Sequence, residues 1–539
     1  MIGVATSGTD RAAVEEFFEL FKTPWEPAVA GRKYRVVLST AANIEKLQAD
    51  LFLLYGSAEN AVDRAAGKTL THHDGPGTVE WGKFKVPMYG RVATFGNGGS
   101  ELKAGGQSVD YSYQGRSYAV RRVGYDLFEE VRHLLSQGQP AAHALMPTLE
   151  LHIAVLRHLL LDSGISFVEV PPRPDEYDFV CCLTHDVDFF GIRRHKLDRT
   201  LAGFMVRASV GTLLDLARGR RTVAEAIENW KAFCLLPLVF LGLRKDFWNP
   251  FEDYTRLENG RRPTFFLVPF RNRPGVAPDG TVASARAVRY QASDVREQAR
   301  AISADGGEVA VHGLDAWRDA EAGRSEIAEL LALTGGTTAG VRMHWLYFAG
   351  ESPERLEAAG FEYDSTCGYN EAVGYRAGTS QVFRLPGTQG LMELPLSIMD
   401  SALFYPNRMG LAPNDAAELC RQIVSNARRF GGTLVINWHD RSLAPERLWG
   451  RFYRDLLDDV GTGNRVWFAT AREAVDWFRW RRSIRFTTDT ESGHVTVEAG
   501  APRTAKAAAS VRIQRPARRG SADAEDRRFD GREAITLTV

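Results

Sequence analysis

The stretch FVCCLTHDVD, residues 179–188, passes from an apolar run into ionisable side chains within ten residues. Such a run, bounded by turn residues, is typical of a strand buried on both faces of a sheet. Seven later segments repeat this pattern: PTFFLVPF (263–270), EVAVHG (308–313), GVRMHWLYF (340–348), FEYDST (361–366), LMELPLSI (391–398), GTLVINW (432–438) and RVWFAT (465–470).

Five segments between these runs space their apolar residues by three and four, as amphipathic helices do. They are SDVREQARAIS (293–303), RSEIAELLALT (324–334), SPERLEAAG (352–360), PNDAAELCRQIVSNARRF (413–430) and PERLWGRFYRDLLDDV (445–460). The alternation of strand and helix is the pattern of βα units. It predicts an α/β fold, an irregular (β/α) barrel of seven or eight strands.

The rest of the chain divides around this barrel, which is predicted over residues 179–480. Residues 1–170 are predicted to form a mixed α/β domain of unknown role, without a catalytic cluster. Its strands are expected at VVLST, KFKVPMYG and SYAVRRVG, and its helices over residues 41–55 and 125–136. The proline-rich segment PPRPDEYD (171–178) marks the boundary. Residues 481–539 are predicted to form a small β appendage with a flexible, charged linker.

An insertion of about seventy residues, 189–262, separates the first strand from the second and exceeds an ordinary βα connection. Its helical stretches mix arginines with bulky apolar residues. We favour local core packing for them, because amphipathic stretches are more often core than surface. The alternatives are a lid, a surface for a biosynthetic partner, or peripheral contact with a membrane.

Charge and cysteine content narrow the classes of function. Lys plus Arg number 67 and Asp plus Glu number 67, which argues against nucleic acid as a partner, because that affinity comes largely from neutralised phosphates. Five cysteines, with Cys181 and Cys182 adjacent in an apolar run, favour a reducing compartment over a disulfide scaffold. The N-terminus lacks the basic start and apolar run of a secretory signal, so we expect a cytoplasmic protein.

Ionisable residues stand at five of the predicted strand ends, where the loops of a βα barrel converge and chemistry gathers. Core packing does not need charge there, and buried Asp or His is costly unless it is paired or binds a metal. One shared pocket explains all of these ionisable residues. The residues at the five strand ends are His185, Asp186 and Asp188; His312 and Asp315; Arg342 and His344; Asp364; and His439 and Asp440.

Two carboxylates, Asp186 and Asp188, joined by imidazoles from other strands, make a mixed oxygen and nitrogen ligand set. This set suits a divalent transition metal, with zinc as the first candidate and Co, Ni, Mn or Fe as alternatives, better than Ca²⁺ or Mg²⁺. Such a metal lowers the pKa of water and polarises a carbonyl, while a carboxylate and an imidazolium transfer protons. The pattern predicts a hydrolase and leaves open which of the two carboxylates binds the metal.

Taken in order, THDVD, the strand ending in His312, RMHW, YDST, and NWHD followed by RSL resemble the motifs of the polysaccharide deacetylase (NodB-like) family. The resemblance covers about residues 179–480 and implies that family's barrel and its metal-dependent deacetylation of carbohydrate. The family's first motif is usually Thr-Phe-Asp-Asp-Gly, so THDVD is a variant of it. Asp186 matches the general base, and Asp188, one residue beyond the usual position, is the expected metal ligand.

The resemblance also implies the remaining metal ligands. His312 matches the first histidine of the family's His-x-x-x-His metal motif, but Ala316 stands at the position of the second. The replacement could come from Asp315 or His344, and we favour His344 because an imidazole preserves the ligand chemistry.

Three further residues take roles from the same resemblance. Arg342 matches the arginine that orients the catalytic aspartate, and Asp364 is expected to be a later orienting partner. His439 matches the general acid that protonates the leaving amine, although Asn437 replaces the family's leucine two positions earlier.

Aromatic residues near the predicted site, among them Trp345, Tyr347 and Trp438, could stack on sugar rings. We therefore expect an N-acetylated (or O-acetylated) carbohydrate as substrate, from a surface polysaccharide or a lipid-linked glycan precursor. One alternative is a catalytically silent carbohydrate-binding or scaffold protein that keeps the barrel. Another is a metal hydrolase that acts on a different amide.

Overall fold

The computed structural model describes residues 1–6, 10–41, 46–96, 100–115, 118–196, 198–219, 221–489, 493–503, 507–516 and 523–539. The strands of the first 170 residues are β1 (Ile2–Ala5), β2 (Trp25–Pro27), β3 (Lys33–Ser39), β4 (Gln48–Tyr55), β5 (Thr71–His73), β6 (Gly77–Trp81), β7 (Phe84–Met88), β8 (Val92–Thr94), β9 (Leu102–Ala104), β10 (Gln107–Ser108), β11 (Asp110–Gln114), β12 (Ala119–Val123) and β13 (Phe167–Glu169). The helices there are α1 (Arg11–Phe21), α2 (Ala61–Ala65), α3 (Leu127–Ser136) and α4 (Thr148–Asp162).

Six of these strands form one mixed sheet, in the order β11-β12-β4-β3-β1-β2. β4 lies where the sequence predicted a helix, so that prediction is wrong for residues 48–55, while residues 42–45 lie outside the described residues. Leu51 and Leu53 of β4 join the main core, whereas Phe52 and Leu54 join a separate cluster. Because both faces of β4 are covered, its apolar run is continuous and lacks the alternation that distinguishes a strand from a buried helix.

The second region contains one sheet of ten strands and the helices around it. The strands are β14 (Phe179–Val187), β15 (Thr264–Leu267), β16 (Glu308–Gly313), β17 (Val341–Met343), β18 (Tyr363–Asp364), β19 (Phe383–Arg384), β20 (Met392–Glu393), β21 (Ile398–Met399), β22 (Thr433–Asn437) and β23 (Val466–Phe468). The helices are α5 (Arg199–Val206), α6 (Thr212–Ala217), α7 (Val223–Phe240), α8 (Phe251–Glu258), α9 (Arg296–Ala304), α10 (Ala320–Thr334), α11 (Ser352–Ala359), α12 (Asp400–Phe404), α13 (Pro413–Phe430), α14 (Gly450–Gly461) and α15 (Ala471–Ser483).

The sheet is parallel except at its β19 edge, and its order is β19-β20-β18-β17-β16-β15-β14-β22-β21. β14 is its centre: β22 pairs along residues 180–184, β15 along residues 184–187, and β23 along residues 179–181. Each of the five predicted helices corresponds to one of α9, α10, α11, α13 and α14. The region is therefore α/β, with parallel strands whose carboxyl ends lie at one edge.

The segment LMELPLSI departs from the single strand that its sequence predicted. Its first half forms β20 and pairs with β18, whereas its second half forms β21 and pairs with β22 on the other side of the sheet. Between them, the amide of Leu396 donates to the carbonyl of Cys367, and the amide of Ser397 donates to the carbonyl of Val435. One bent segment thus joins both edges of the curled sheet, and this accounts for the split of one predicted strand into two.

The insertion between β14 and β15 is helical and has a small core of its own. α5, a π-helical turn over residues 207–211, and α6 run on continuously, and α7 packs beside them. Phe204 and Ala208 are buried with Leu236 and Val239 of α7, and Trp248 completes this cluster. Core packing therefore accounts for one face of the insertion.

The last strands are β24 (Ile484–Asp489), β25 (His494–Ala499), β26 (Ala509–Arg515), β27 (Asp523–Phe529) and β28 (Ile535–Thr538). β24, β25 and β28 form one sheet, while β26 and β27 form another together with β13 from the first region. The buried Arg481 side chain donates to the backbone carbonyls of Glu19, Leu20 and Val170. The tail is thus bonded to the first region across the predicted domain boundaries.

Candidate functional site

The site lies at the carboxyl edge of the parallel sheet, where β17, β16, β15, β14 and β22 end side by side in this order. His312 of β16 stands opposite Arg342 of β17, and Thr184 of β14 stands opposite Asn437 of β22. Because side chains of a strand alternate between its two faces, Asp186 and Asp188 share one face while His185 lies on the other. This alternation brings two carboxylates to the same side as the histidines of neighbouring strands.

Asp188, His312 and His344 form a buried group whose ligand atoms all lie within 4.8 Å of one another. Asp188 Oδ1 is 3.3 Å from His312 Nε2 and 3.4 Å from His344 Nε2. The same Asp188 Oδ1 is buried and has no hydrogen-bond partner among the described residues. One carboxylate oxygen and two imidazole nitrogens therefore point at a common place, and this donor set could hold a metal ion.

The orientation of the His312 ring and the protonation of His344 suit such a role. His312 Nδ1 lies 2.9 Å from the backbone oxygen of Arg342; because a carbonyl only accepts, Nδ1 donates this hydrogen bond, and Nε2 is the ring nitrogen that faces Asp188. Burial lowers the pKa of His344 to about 3, so its ring is neutral at pH 7. Burial opposes ionisation of Asp188, but the surrounding imidazoles, His344 first, lower its pKa. A neutral imidazole and an ionised carboxylate are the forms that bind metals.

Asp186 lies beside this group but is held by other partners. Arg342 Nη1 donates to Asp186 Oδ1 at 2.9 Å, and Asn437 Nδ2 donates to Asp186 Oδ2 at 2.8 Å. Burial alone would raise the pKa of Asp186, but the Arg342 guanidinium together with His312 and His439 outweighs burial, and the pKa is lowered. Asp186 Oδ2 is 3.9 Å from His312 Nε2. Asp186 is therefore an ionised carboxylate in a fixed orientation next to the Asp188 group.

Arg342 is fully buried, and Ser365 rather than Asp364 positions it. Arg342 Nε donates to the Ser365 carbonyl at 3.0 Å, and Nη2 donates to the Ser365 hydroxyl at 2.9 Å. Asp364 instead accepts from the amide and hydroxyl of Thr366 and shares a hydrogen bond with Glu393. Burial raises the pKa of Asp364 to about 6, as expected for a carboxyl that shares a proton with a second one. Asp364 therefore contacts Thr366 and Glu393, and its role as a later orienting partner stays a prediction.

His439 stands on the other side of Asp188, with Nε2 3.9 Å from Asp188 Oδ2. Its Nδ1 donates to Asp400 Oδ1 at 2.5 Å, and its backbone amide donates to Asp400 Oδ2 at 2.7 Å. Burial opposes the charged form of His439, but Asp400 raises its pKa well above the usual range. The pKa of Asp400 is lowered against the effect of burial, with the charge of His439 as the main cause. His439 and Asp400 thus form a buried imidazolium–carboxylate pair facing the site.

Two residues that the sequence analysis did not single out support this arrangement. Asp400 lies at the start of α12, directly after β21, so the strand end IMD resembles the other strand ends that carry an acid. Arg286 is buried and donates to the backbone carbonyls of His344 at 2.7 Å and Leu314 at 2.9 Å. Arg286 thereby ties the His344 loop to the loop after His312. It lies in a loop without a regular pattern, and nothing in the sequence marks it.

The three predicted aromatic residues lie in different surroundings. Trp345 is 40% exposed next to His344, with a backbone φ of 65°, and its ring centroid is 6.0 Å from that of the half-buried Tyr347. Trp438 is fully buried, and its ring stacks on Tyr453 and Phe452 at 4.9 and 5.9 Å. Trp438 therefore offers no face to a substrate, because it lies on the face of β22 opposite to Asn437 and His439.

His185 also lies away from the Asp188 group. Its Nδ1 is bonded to the Trp438 carbonyl and its Nε2 to Glu258 Oε1, both at 2.8 Å. Tyr453 donates to the same Glu258 oxygen at 2.6 Å. Since both ring nitrogens are occupied, His185 has no free lone pair for a ligand and holds α8 and α14 against β14.

Comparison with known proteins gave matches only among solved structures: no family model and no curated protein matches the chain. A protein from Mycobacterium smegmatis assigned as a polysaccharide deacetylase is 22% identical, with a TM-score of 0.35. The match covers 58% of this chain and 95% of that protein's chain. Puue allantoinase is 18% identical, with a TM-score of 0.35, and the match covers 57% of this chain and 92% of the allantoinase chain. A protein from Pseudomonas aeruginosa PAO1 assigned as a polysaccharide deacetylase is 16% identical, with a TM-score of 0.35, covering 57% and 94%.

Proposed function

We propose that the chain is a metal-dependent hydrolase that removes N-acetyl or O-acetyl groups from a carbohydrate, in surface-polysaccharide or glycan-precursor metabolism. The observation that carries the proposal is the orphaned oxygen of Asp188, on which His312 and His344 converge. A buried carboxylate oxygen without a partner is costly, and a cation between three such ligands removes that cost. The two proton-transfer candidates, Asp186 and His439, stand on either side of it.

Asp188, His312 and His344 would hold the metal, with zinc as the first candidate and Co, Ni, Mn or Fe as alternatives. When bound, such a metal supplies Lewis acidity: it polarises a carbonyl oxygen and makes a water molecule more acidic. His344 takes the place of the second histidine that the family motif would put at Ala316. The structure supports this substitution because His344, and not the side chain of Asp315, lies beside Asp188.

Asp186 is the general base in this proposal. Its pKa is lowered, so it is ionised at neutral pH and able to accept a proton. Arg342 and Asn437 each bind one of its oxygens and fix the plane of the carboxylate. The bonds of Arg342 to Ser365 keep the guanidinium in place when Asp186 changes charge.

His439 is the general acid. Its Nδ1–H is bonded to Asp400, which leaves Nε2 as the atom facing the site. Asp400 keeps the ring protonated, so Nε2–H can give its proton to the departing amine or alkoxide. The backbone carbonyl of His439 accepts a hydrogen bond from Tyr254 at 2.7 Å, which also fixes this loop.

The exposed ring of Trp345 supports a carbohydrate as substrate. It lies directly after a proposed metal ligand and close to Tyr347, so a sugar ring stacked on it would place an attached acetyl group near Asp188. Its backbone has φ in the left-handed region, which non-glycine residues adopt mainly where the surrounding structure requires it.

Metal content and acetate release test the proposal together. Purified wild type, His312→Ala and His344→Ala are loaded with Zn²⁺, Co²⁺ or Ni²⁺, dialysed, and measured by elemental analysis beside His72→Ala, an exposed histidine outside the site. We expect one metal per chain in wild type and His72→Ala, and loss of the metal in the two site variants. The same samples are then assayed for acetate release from N-acetyl and O-acetyl saccharides.

The outcomes separate the alternatives. A wild type that stays free of metal in all three solutions contradicts the proposal and favours a silent barrel that binds carbohydrate or serves as a scaffold. A stoichiometric metal without acetate release from any saccharide, but with hydrolysis of another amide, would favour a different metal hydrolase.

A further inference from the structure

The exposed apolar side chains of this protein are concentrated in the insertion. Among the described residues, twelve large hydrophobic side chains are exposed, and nine of them lie within residues 205–243. Five of these follow one another along a single helical run: Met205, Val206, Val210, Leu213 and Leu214. Single exposed apolar residues are ordinary, but a cluster of them marks a surface that binds something.

The spacing of these residues places them on one face. Val206, Val210, Leu213 and Leu214 are separated by four, three and one positions, which is the pattern of a stripe along a helix. The opposite face, with Phe204 and Ala208, is buried against α7. The stripe is therefore the outer face of a helix that is already packed on its inner side.

The exposed apolar residues continue onto α7 and the turn after it. Val223 and Ile227 are exposed on the first two turns of α7, and Leu241 and Leu243 are exposed directly after it. α6 packs against α7. Both helices therefore carry exposed apolar side chains.

The insertion is also strongly basic, in a chain whose charges balance overall. Residues 189–262 contain fourteen lysines and arginines against eight aspartates and glutamates, a net charge of +6. Arg218, Lys231 and Arg244 are exposed. Basic and apolar side chains side by side on an amphipathic helix suit the anionic headgroups and the acyl boundary of a lipid bilayer.

The helical run lies along such a surface rather than across it. Residues 199–217 are long and apolar enough to cross a membrane by length and composition alone. However, Arg207 lies near the middle of the run, where a charge would be costly in the bilayer centre. The buried contacts of Phe204 and Ala208 with the α7 cluster would also be lost on crossing.

The insertion is joined to the site at the carboxyl edge of the sheet. It begins one residue after Asp188, and the Phe189 amide donates to Asp440 at 2.8 Å. Trp248 Nε1 donates to Glu446, and Arg221 donates to the Glu446 carbonyl, both in the segment that follows His439. A surface bound by the insertion would therefore lie next to the edge that carries the site.

We propose that the outer face of residues 199–243 binds the surface of an anionic lipid bilayer and holds the site beside it. Apolar side chains of the stripe enter the headgroup region, and the surrounding lysines and arginines bind lipid phosphates. The proposal concerns binding alone and does not depend on the proposed hydrolytic activity.

Vesicle flotation of the full chain tests it. The probes are phosphatidylcholine vesicles and vesicles of phosphatidylcholine with phosphatidylglycerol, each at low and high salt. The proteins are wild type, Val210→Asp/Leu214→Asp, and the control Val282→Asp, whose residue is 62% exposed but lies outside the insertion. Asp186→Asn is included because it separates binding from turnover. Circular dichroism of each variant confirms folding.

We expect wild type, Val282→Asp and Asp186→Asn to float with the anionic vesicles and much less with the neutral ones. High salt should weaken binding because it screens the basic residues. Val210→Asp/Leu214→Asp should bind at least about tenfold more weakly, since two apolar side chains no longer enter the lipid.

Three results would overturn the proposal. Wild type could remain in the soluble fraction with both kinds of vesicle. The double variant could float as well as wild type, which would remove the stripe from the binding surface. Wild type could instead form a dimer in analytical ultracentrifugation, lost in the double variant, without any vesicle binding; the stripe would then be an interface between two copies of the chain.

Discussion

The carboxyl edge of the parallel sheet and the insertion depart from ordinary burial in opposite ways. At the sheet edge, charged side chains are buried, and one of them, Asp188, has an oxygen without a partner among the described residues. In the insertion, apolar side chains such as Val210 are exposed. Both arrangements are costly for the isolated chain, because charge prefers water and apolar surface avoids it. The buried charges around Asp188 indicate a cation as the missing partner. The exposed apolar side chains of the insertion indicate an apolar surface as the missing partner.

An orphaned oxygen alone does not indicate a metal, as a second carboxylate shows. Glu150 also has a buried oxygen, Oε2, without a partner in the described part of the chain. Its other oxygen accepts from the Thr379 hydroxyl and the Ser380 amide, and no imidazole of the described residues is hydrogen-bonded to it. Burial raises the pKa of Glu150 to about 7, whereas the pKa of Asp188 is lowered. The converging imidazoles, and not the orphaned oxygen alone, distinguish the Asp188 group as a candidate metal site.

The largest expected effect is on turnover in Asp186→Asn. We expect kcat to fall about 1000-fold, because the amide cannot accept the proton that the carboxylate takes. The metal content should stay that of wild type, since Asp186 is held by Arg342 and Asn437 rather than by the Asp188 group. Asp188→Asn, in contrast, should lose both the turnover and the metal. Acetate release and elemental analysis check both, and an Asp186→Asn variant with normal kcat would contradict the assignment of the base.

Asp400→Asn should have the next largest effect, with kcat about 100-fold lower and the metal retained. Asp400 raises the pKa of His439, so its loss lowers that pKa. A general acid must be protonated to act, and the activity should therefore be lost at a lower pH than in wild type. The pH profile of kcat/KM checks this shift. If the activity of Asp400→Asn is lost at the same alkaline pH as that of wild type, His439 is not the general acid.

The alternation of residues along strands explains how much of this site the sequence could predict. Asp186 near the end of β14 and Asp188 just after it are two apart and share a face, as do Asn437 and His439 at the end of β22, so parallel strand ends bring them together. The same rule puts His185 and Trp438 on the opposite face. Applied fully, it excludes Trp438 as a residue that binds substrate. The sequence therefore held more information about orientation than the search for aromatic residues used.

Other contacts could not be predicted because they join segments that are distant along the chain. Asp400 meets His439 because β21 pairs with β22, and that pairing depends on the bend in LMELPLSI. Arg286 acts through backbone carbonyls, which any residue can offer, so no pattern of side chains marks it. The α/β architecture with its parallel sheet was predictable, since the repeated alternation of strand and helix does not depend on such contacts.

Glu150→Gln should have a smaller effect, on the pH dependence of stability. The pKa of Glu150 is raised on folding, so ionisation is harder in the folded than in the unfolded chain. Glu150 therefore contributes most to the free energy of unfolding below its unfolded pKa. This contribution is lost as the pH rises towards 7, by at most about 1.4 kcal/mol per pH unit. Glu150→Gln should lack this loss. Urea unfolding between pH 5 and pH 8, at about half-unit steps, gives the slope of unfolding free energy against pH for wild type and for Glu150→Gln. Equal slopes would show that Glu150 ionises normally.

The smallest expected effect is on the stability of Val210→Asp/Leu214→Asp. Both side chains are exposed, so the unfolding free energy should stay within about 0.5 kcal/mol of wild type. Phe204→Ala, on the buried face of the same helical run, is the control and should cost about 3 kcal/mol. Urea unfolding measures both. A large loss of stability in the double variant would mean that the stripe packs against the protein itself. The contrast between the two regions would then disappear, because the insertion would have no unpartnered face to bind a membrane.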